Sequence, residues 1–276
     1  IMDISLMIEG QMGLTWPRWQ RVVAEAEELG FAGVYRSDHF INPNPPDSDS
    51  LEMIVSLTYL ASHTKRVHFG PLVAPLSFRN PTLLARQAAA LDDLSSGRMI
   101  LGLGAGWQER EHEVFGFDLG DVPTRLRRLT EGLEVITSLL KSDEPISYEG
   151  QFYRLRGATL LPRPQRPGGP RILVGGNGTQ RTLPLVVRYA DIWNGVFMRP
   201  DQFRERMTIL DTLLAKAGRQ PGDVRRTMMY GQFQGHDALI DLLPEYKEVG
   251  MEEIMVQWLD LDNIDALRSL ARRLMP

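Results

Sequence analysis

Met99-Ile100-Leu101-Gly102-Leu103-Gly104-Ala105-Gly106-Trp107 decides how this chain folds. An apolar run breaks abruptly into alternating glycines, which is how a buried parallel strand reads where its carboxyl end opens into a site. Val34-Tyr35-Arg36-Ser37-Asp38-His39 breaks in the same way, into an Asp-His pair. A third run ends at Gly175-Gly176-Asn177-Gly178-Thr179. Three strand ends of this kind, far apart in sequence, require an architecture that gathers them at one place.

Working outward, strand-like and helix-like segments alternate along the whole chain. Strands are expected at 2–8, 31–36, 67–73, 98–103, 171–175, 191–197, 225–230 and 253–258. Helices are expected at 17–30, 51–63, 81–94, 125–141, 179–189, 200–217, 238–249 and 263–274. Pro17 suits a first helical turn and Gly30 a helix end. Such alternation implies a parallel sheet with right-handed crossovers. Eight units in 276 residues match an α/β (β/α)₈ TIM barrel, one domain over 1–276, better than a doubly wound sheet of five to seven units. The stretch after the fourth strand is too long for a simple connection. It holds the 125–141 helix and an irregular segment at 148–170, with a short hairpin near 146–155, so an insertion is expected there.

Composition removes several function classes. Thirty-five acidic residues against 31 basic give a formal charge of −4, so no basic excess serves nucleic acid. The absence of cysteine excludes disulfides, thiolate metal sites and a cysteine nucleophile. No apolar run is long enough to span a membrane, and the start at 2–8 lacks the features of a signal peptide, so a cytoplasmic location is expected.

In a barrel, functional groups sit where strands end. His39 follows the second strand and titrates near neutral pH, which suits proton transfer; Asp38 beside it would fix loop or ring geometry. The other four histidines show no metal-ligand spacing, and no metal site is expected. Gly102, Gly104 and Gly106 lack the full dinucleotide fingerprint, but would let a flat ring or the next loop approach the backbone. Trp107 offers an aromatic wall. Glu109, Arg110, Glu111 and Glu113 read as a solvated helix start. Gly175–Thr179 precedes a helix expected from Gln180, where backbone N–H groups favour a phosphate, with Arg181 adding charge. Pro71-Leu72-Val73-Ala74-Pro75 is too apolar for catalysis and is expected to shape the pocket floor.

These residues resemble the bacterial luciferase-like monooxygenase superfamily, and within it the deazaflavin (coenzyme F420) oxidoreductases. The resemblance runs through Ser37-Asp38-His39-Phe40, Arg79-Asn80-Pro81, Ala85-Arg86-Gln87-Ala88, Leu94-Ser95-Ser96-Gly97-Arg98, Gly102–Trp107, Tyr148-Glu149-Gly150, Leu173–Gly176 and Tyr189–Asn194. It implies a TIM barrel binding F420, or alternatively FMN, at its C-terminal mouth. Asp38 and His39 would flank the ring, with His39 handling protons. Pro71, Leu72, Val73 and Ala74 would form a bulge under the ring, with a non-prolyl cis peptide at Pro71–Leu72. Gly106, Trp107, Gly175 and Gly176 would contact the ring side and phosphate side, and Asn177, Gly178 and Thr179 would complete the phosphate loop. The implied activity is hydride transfer between F420 and a small organic substrate. An FMNH2-dependent two-component monooxygenase and a non-catalytic flavin-binding barrel are the alternatives. A homodimer through the helices at 51–63 and 81–94 is also implied.

Two departures from the family pattern stand out. Its sugar-phosphate dehydrogenases carry a glutamate where Trp107 stands, which disfavours that activity. A helical insertion before the last strand is absent, or a segment near Gly235 is missing from the chain, so the substrate is unread.

Overall fold

The computed structural model describes residues 2–275. The strands are β1 (Asp3–Ile8), β2 (Gly33–Arg36), β3 (His68–Pro71), β4 (Ala74–Pro75), β5 (Ile100–Gly104), β6 (Ile146–Glu149), β7 (Arg154–Ala158), β8 (Arg171–Gly175), β9 (Ile192–Val196), β10 (Arg225–Tyr230) and β11 (Glu253–Trp258). The helices are α1 (Trp16–Leu29), α2 (Met53–His63), α3 (Pro81–Leu94), α4 (Glu109–Phe115), α5 (Val122–Lys141), α6 (Thr182–Tyr189), α7 (Pro200–Lys216), α8 (His236–Glu248) and α9 (Ile264–Leu274).

All strands except β6 and β7 form one parallel sheet in the order β3-β2-β1-β11-β10-β9-β8-β5-β4. β3 and β4 are two halves of one barrel strand. β3 pairs with β2 on one side, and β4 pairs with β5 on the other. A single bridge from Phe69 to Met99 links β3 back to the start of β5 and brings the circle round. Eight barrel positions result, as the repeat count requires. β6 and β7 make the antiparallel hairpin of the insertion after β5, longer than the sequence suggests because β7 runs on to Ala158.

Two apolar layers hold the barrel. The larger lies between strands and helices; the inner one plugs the barrel with Met7, Tyr35, Leu72, Ile100, Leu173, Ile192, Met229 and Met255. Residues on one face of a strand meet across a closed sheet, so this plug is the floor under the mouth. Helix ends follow from local chemistry. α1 stops at Gly30, whose φ of 91° is left-handed and suits a residue without a side chain. α5 begins at Val122, three residues before the expected start. Asp121 accepts from the Thr124 N–H at 2.8 Å and Pro123 occupies the first turn, a proline-compatible position.

Two further expectations are corrected. α6 begins at Thr182, so Thr179 and Gln180 are turn rather than helix; the Leu183 N–H bonds back to the Gly178 carbonyl and closes that turn. The non-prolyl cis peptide lies at Leu72–Val73, one bond later than expected. The Leu72 N–H donates to the Arg36 carbonyl at 2.8 Å, so β3 keeps its ladder with β2 through Leu72 and breaks only afterwards.

Candidate active site

A cavity of about 840 Å³ opens at the C-terminal ends of the strands, and every barrel position contributes to its lining. One arc is built from Leu72, Val73 and Pro75 at the β3–β4 break, Gly104 to Trp107 after β5, and Gly175 and Gly176 after β8. The facing arc carries Glu9 and Gln11 after β1, Ser37 and His39 after β2, Met229 on β10 and Gln257 on β11. Asn42, Pro43, Asn44, Pro46 and Ser48 form a loop over the rim. Arg110 fastens that loop, donating to both Asp47 carboxylate oxygens at 2.7 Å and to the Asn42 carbonyl at 2.8 Å.

The glycines after Met99 serve the adjoining strand first. A Cβ on Gly102 would stand 2.1 Å from the Pro71 carbonyl oxygen, and one on Gly104 would stand 2.4 Å from Val73 Cγ2. Contacts that short are excluded, so these glycines exist to admit the broken strand beside them. The bulge then reaches into the cavity as a smooth apolar wall.

His39 enters from β2 and is paired from an unexpected direction. Its Nδ1 lies 2.8 Å from Glu111 Oε1, and Glu111 Oε2 accepts the Phe40 N–H at 3.0 Å. A carboxylate only accepts, so Nδ1 carries the hydrogen and Nε2 is the nitrogen left for a ligand. Burial pulls the His39 pKa down, but the hydrogen bond and charge of Glu111, with Glu9 and Asp38 farther off, outweigh it and hold the pKa above the ordinary 6.5. Trp107 meets the imidazole edge-on, with ring centroids 5.4 Å apart.

Glu111 corrects the reading of 109–113 as a solvated helix start. Glu109 and Glu113 are exposed, but Glu111 and His112 are 1% and 2% exposed. α4 lies across the mouth with this pair turned inward, and His112 fixes the loop ahead of it through the Gln108 carbonyl and Ser77 Oγ, both at 2.7 Å. The signal that could have found Glu111 is its distance from the glycine strand end: one helical turn past Trp107, where a helix must cross the opening.

Asp38 is buried but outside the cavity lining. Its carboxylate takes both Nε and Nη2 of Arg79, at 2.8 and 2.6 Å, and Arg79 also reaches Glu52 at 2.8 Å. The side chain thus fixes the loop that carries His39 and does not reach the space a ring would fill. Pro71 and Ala74 likewise stand behind the wall, leaving Leu72 and Val73 to face the cavity.

The Gly175–Thr179 segment divides similarly. Gly175 and Gly176 line the cavity, but the Gly176 N–H is committed to the Asn194 carbonyl at 2.9 Å, which corrects its reading as a phosphate donor. Asn177 bonds both the carbonyl and the N–H of Val196, at 2.8 and 2.9 Å, and so staples the loop to β9. The backbone N–H groups of Asn177, Gly178 and Thr179 have no protein partner among the described residues and lead directly to α6, whose start has no side-chain cap. Arg206 on α7, missed in the sequence, donates to the Asn177 carbonyl at 3.2 Å and brings a guanidinium to this loop. Among the described residues, no group of acidic, histidine or cysteine side chains is arranged to hold a metal ion.

F420-dependent glucose-6-phosphate dehydrogenase from Amycolatopsis mediterranei is 34% identical over 166 residues, 60% of this chain and 47% of that protein. The chain spans about half the length of the curated relatives it matches. Among solved structures, an F420-dependent secondary alcohol dehydrogenase in complex with an F420–acetone adduct superposes with a TM-score of 0.83 at 18% identity, covering 100% of this chain and 99% of that one. The monooxygenase RslO1 from Streptomyces bottropensis gives 0.77 at 20% identity, again over 100% and 99%. At these identities the two structures share the fold. A model described as luciferase-like monooxygenase matches residues 5–235, through β10 and the turn after it, and the chain belongs to that family.

Proposed function

We propose that the protein is an oxidoreductase that uses coenzyme F420 to move a hydride to or from a small organic substrate. The observation that carries this reading is the pairing, across one cavity, of an apolar wall at Leu72–Val73 with a His39 imidazole held in one tautomer by Glu111. Its support from relatives is the F420 dependence named for the proteins above.

The residues present fit such a cofactor. The strip from Gly104 to Gly106 beside Leu72 and Val73 offers backbone and methyl groups where a flat fused ring needs close apolar contact. The free amides of Asn177, Gly178 and Thr179, with Arg206 beside them, suit the phosphate of its side chain. When bound, a deazaflavin supplies or accepts a hydride at its ring, and the protein contributes binding, orientation and proton management. His39, whose pKa is held above the ordinary 6.5 by Glu111, donates a proton from Nε2 when a carbonyl is reduced, and accepts it in the reverse direction. Glu111 fixes the imidazole and stabilises its charged form. The 42–48 loop and Trp107 limit water over the site.

Titrating the protein with F420 and with FMN, following tryptophan fluorescence, tests the cofactor. Tight F420 binding with turnover of a carbonyl or alcohol is expected. FMN binding with none for F420 would move the assignment to the monooxygenase reading, which the RslO1 fold match favours. Cofactor bound but never turned over would move it to a non-catalytic barrel. The same proposal includes a homodimer through α2 and α3, where Val55, Leu83 and Leu94 are all more than half exposed. Light scattering that gives a 31.2 kDa species at micromolar concentration would remove that part.

A further inference from the structure

Glu9 is a carboxylate the mechanism above does not use. It follows the last residue of β1, lines the cavity and forms no ion pair among the described residues. Two carboxamides hold it: Gln257 Nε2 donates to Oε1 at 2.8 Å and Gln11 Nε2 donates to Oε2 at 3.1 Å. Both amides are fixed in orientation. Ser37 Oγ accepts the Gly10 N–H at 2.8 Å and so turns its own hydrogen to Gln11 Oε1, also at 2.8 Å. Gln257 Oε1 accepts the Gln232 N–H at 3.0 Å. Each amide therefore has only its NH2 group to offer, and Glu9 is built in as an acceptor with lone pairs to spare. The adjacent cation, Arg36, is spent elsewhere, on the Ser37 carbonyl at 3.0 Å and Ser56 Oγ at 2.7 Å.

Position gives the group its meaning. The wall and phosphate loop occupy β3, β4, β5 and β8, one arc of the sheet order. Glu9 and Gln11 after β1, with Gln257 on β11, stand in the opposite arc, and His39 after β2 lies between the two. No lysine or arginine lines the cavity among the described residues, while two glutamates do; Glu111 is buried against His39 and Phe40, whereas Glu9 is half-buried and open to the cavity. A phosphate or carboxylate placed in the Glu9 arc would meet the Glu9 carboxylate with no cation in the lining to pair with, Arg36 lying behind it and engaged elsewhere.

We propose that Glu9 is the specificity-determining carboxylate of this site, and that it selects a non-anionic substrate presenting an O–H or N–H donor, a hydroxyl or an ammonium group. The proposal rests on the cofactor reading above for the division of the cavity. It sets this chain apart from relatives named for a sugar phosphate, because nothing in the Glu9 arc receives a phosphate.

The test uses four probes on one carbon frame: cyclohexanol, cyclohexylammonium, cyclohexanecarboxylate and cyclohexyl phosphate. Their affinities are measured by calorimetry on the F420-loaded protein and, in parallel, on the protein alone. The alcohol and the ammonium should bind at least roughly tenfold tighter than the two anions, and the tighter of the pair identifies which donor the site prefers. Glu9→Gln should narrow the gap to the anions by about tenfold, with the F420 affinity unchanged within about twofold, whereas Glu9→Asp should keep the order. Anions binding as well as the others, no probe binding at all, or an order untouched by Glu9→Gln in a folded variant would each overturn the proposal. Failure of F420 to bind would instead overturn the cofactor reading, because the order of the probes is also read without it.

Discussion

Replacing Glu111 by glutamine tests the heart of the site without changing its shape. Glu111 accepts two hydrogens, from His39 Nδ1 and from the Phe40 N–H, and it is 1% exposed. Glutamine has one acceptor oxygen and one donor nitrogen at those places. When the imidazole is charged, one of the two N–H groups must then face another donor, and an unmatched buried donor costs about 1–3 kcal/mol; a neutral imidazole escapes this by carrying its hydrogen on Nε2 and accepting at Nδ1. In a chain of this size each kcal/mol is worth roughly 2–4 °C of melting temperature, so a drop of several degrees is expected. The pH dependence carries the sharper information. With Glu111 ionised, the His39 pKa lies above 6.5, so the charged pair stabilises the fold fully below about pH 6.5 and loses that contribution as pH rises through the folded value. In Glu111→Gln, burial is the dominant influence left and the His39 pKa should fall below 6.5. Melting curves of both proteins from pH 5 to 9 should therefore lie farthest apart at the acid end and converge toward the alkaline end, where the neutral imidazole accepts the glutamine N–H at Nδ1. Imidazole carbon shifts followed by NMR read the same pKa directly. A His39 that titrates at the wild-type pH in Glu111→Gln would refute the reasoning, whatever the melting temperature does.

His39→Ala should cut turnover with F420 on the order of 10²–10⁴-fold while leaving cofactor affinity nearly intact; a steady-state assay beside a binding titration separates the two effects. Asp38→Asn weakens the grip on Arg79, which keeps its contact with Glu52, so the cost should sit at or below the low end of the roughly 3–5 kcal/mol for a broken buried pair, read by denaturant unfolding. Gly102→Ala places a Cβ 2.1 Å from the Pro71 oxygen, a backbone atom that cannot swing aside, and should destabilise by about 1–3 kcal/mol or more, whereas Gly222→Ala, with open space around it, should be close to neutral. Arg206→Gln should weaken F420 binding without moving the affinity of a probe that lacks the phosphate side chain, if the loop at Asn177 is where the phosphate sits.

The barrel was legible because its evidence is local and repeated. Each strand is an apolar run followed by a break, and eight such units exhaust the plausible alternatives. The polar partnerships were not, because they join residues distant in sequence. His39 and Glu111 are 72 positions apart, and nothing in the Glu109–Glu113 charge run marks which carboxylate turns inward. Glu9 escaped for a simpler reason. The rule that singled out Asp38 and His39, polar residues just past a strand, applies equally at the end of β1, but a lone glutamate beside Gly10 carries no pattern of its own. The loop proposed for a phosphate was marked by its glycines; which of its amides remain free depended on the β8–β9 ladder, and that is a property of register, not composition.

The broken strand has a consequence for how such a barrel can diversify. The atoms of Pro71 and Val73 that meet Gly102 and Gly104 also join the two halves of the ring of strands. A change there alters the cavity wall and the closure of the barrel together, and the second penalty falls on every descendant sequence regardless of what it binds. The arc formed by β1, β11 and the 42–48 loop is under no such double constraint. New chemistries on this scaffold should arise by drift on that side alone, with the opposite wall inherited almost unchanged.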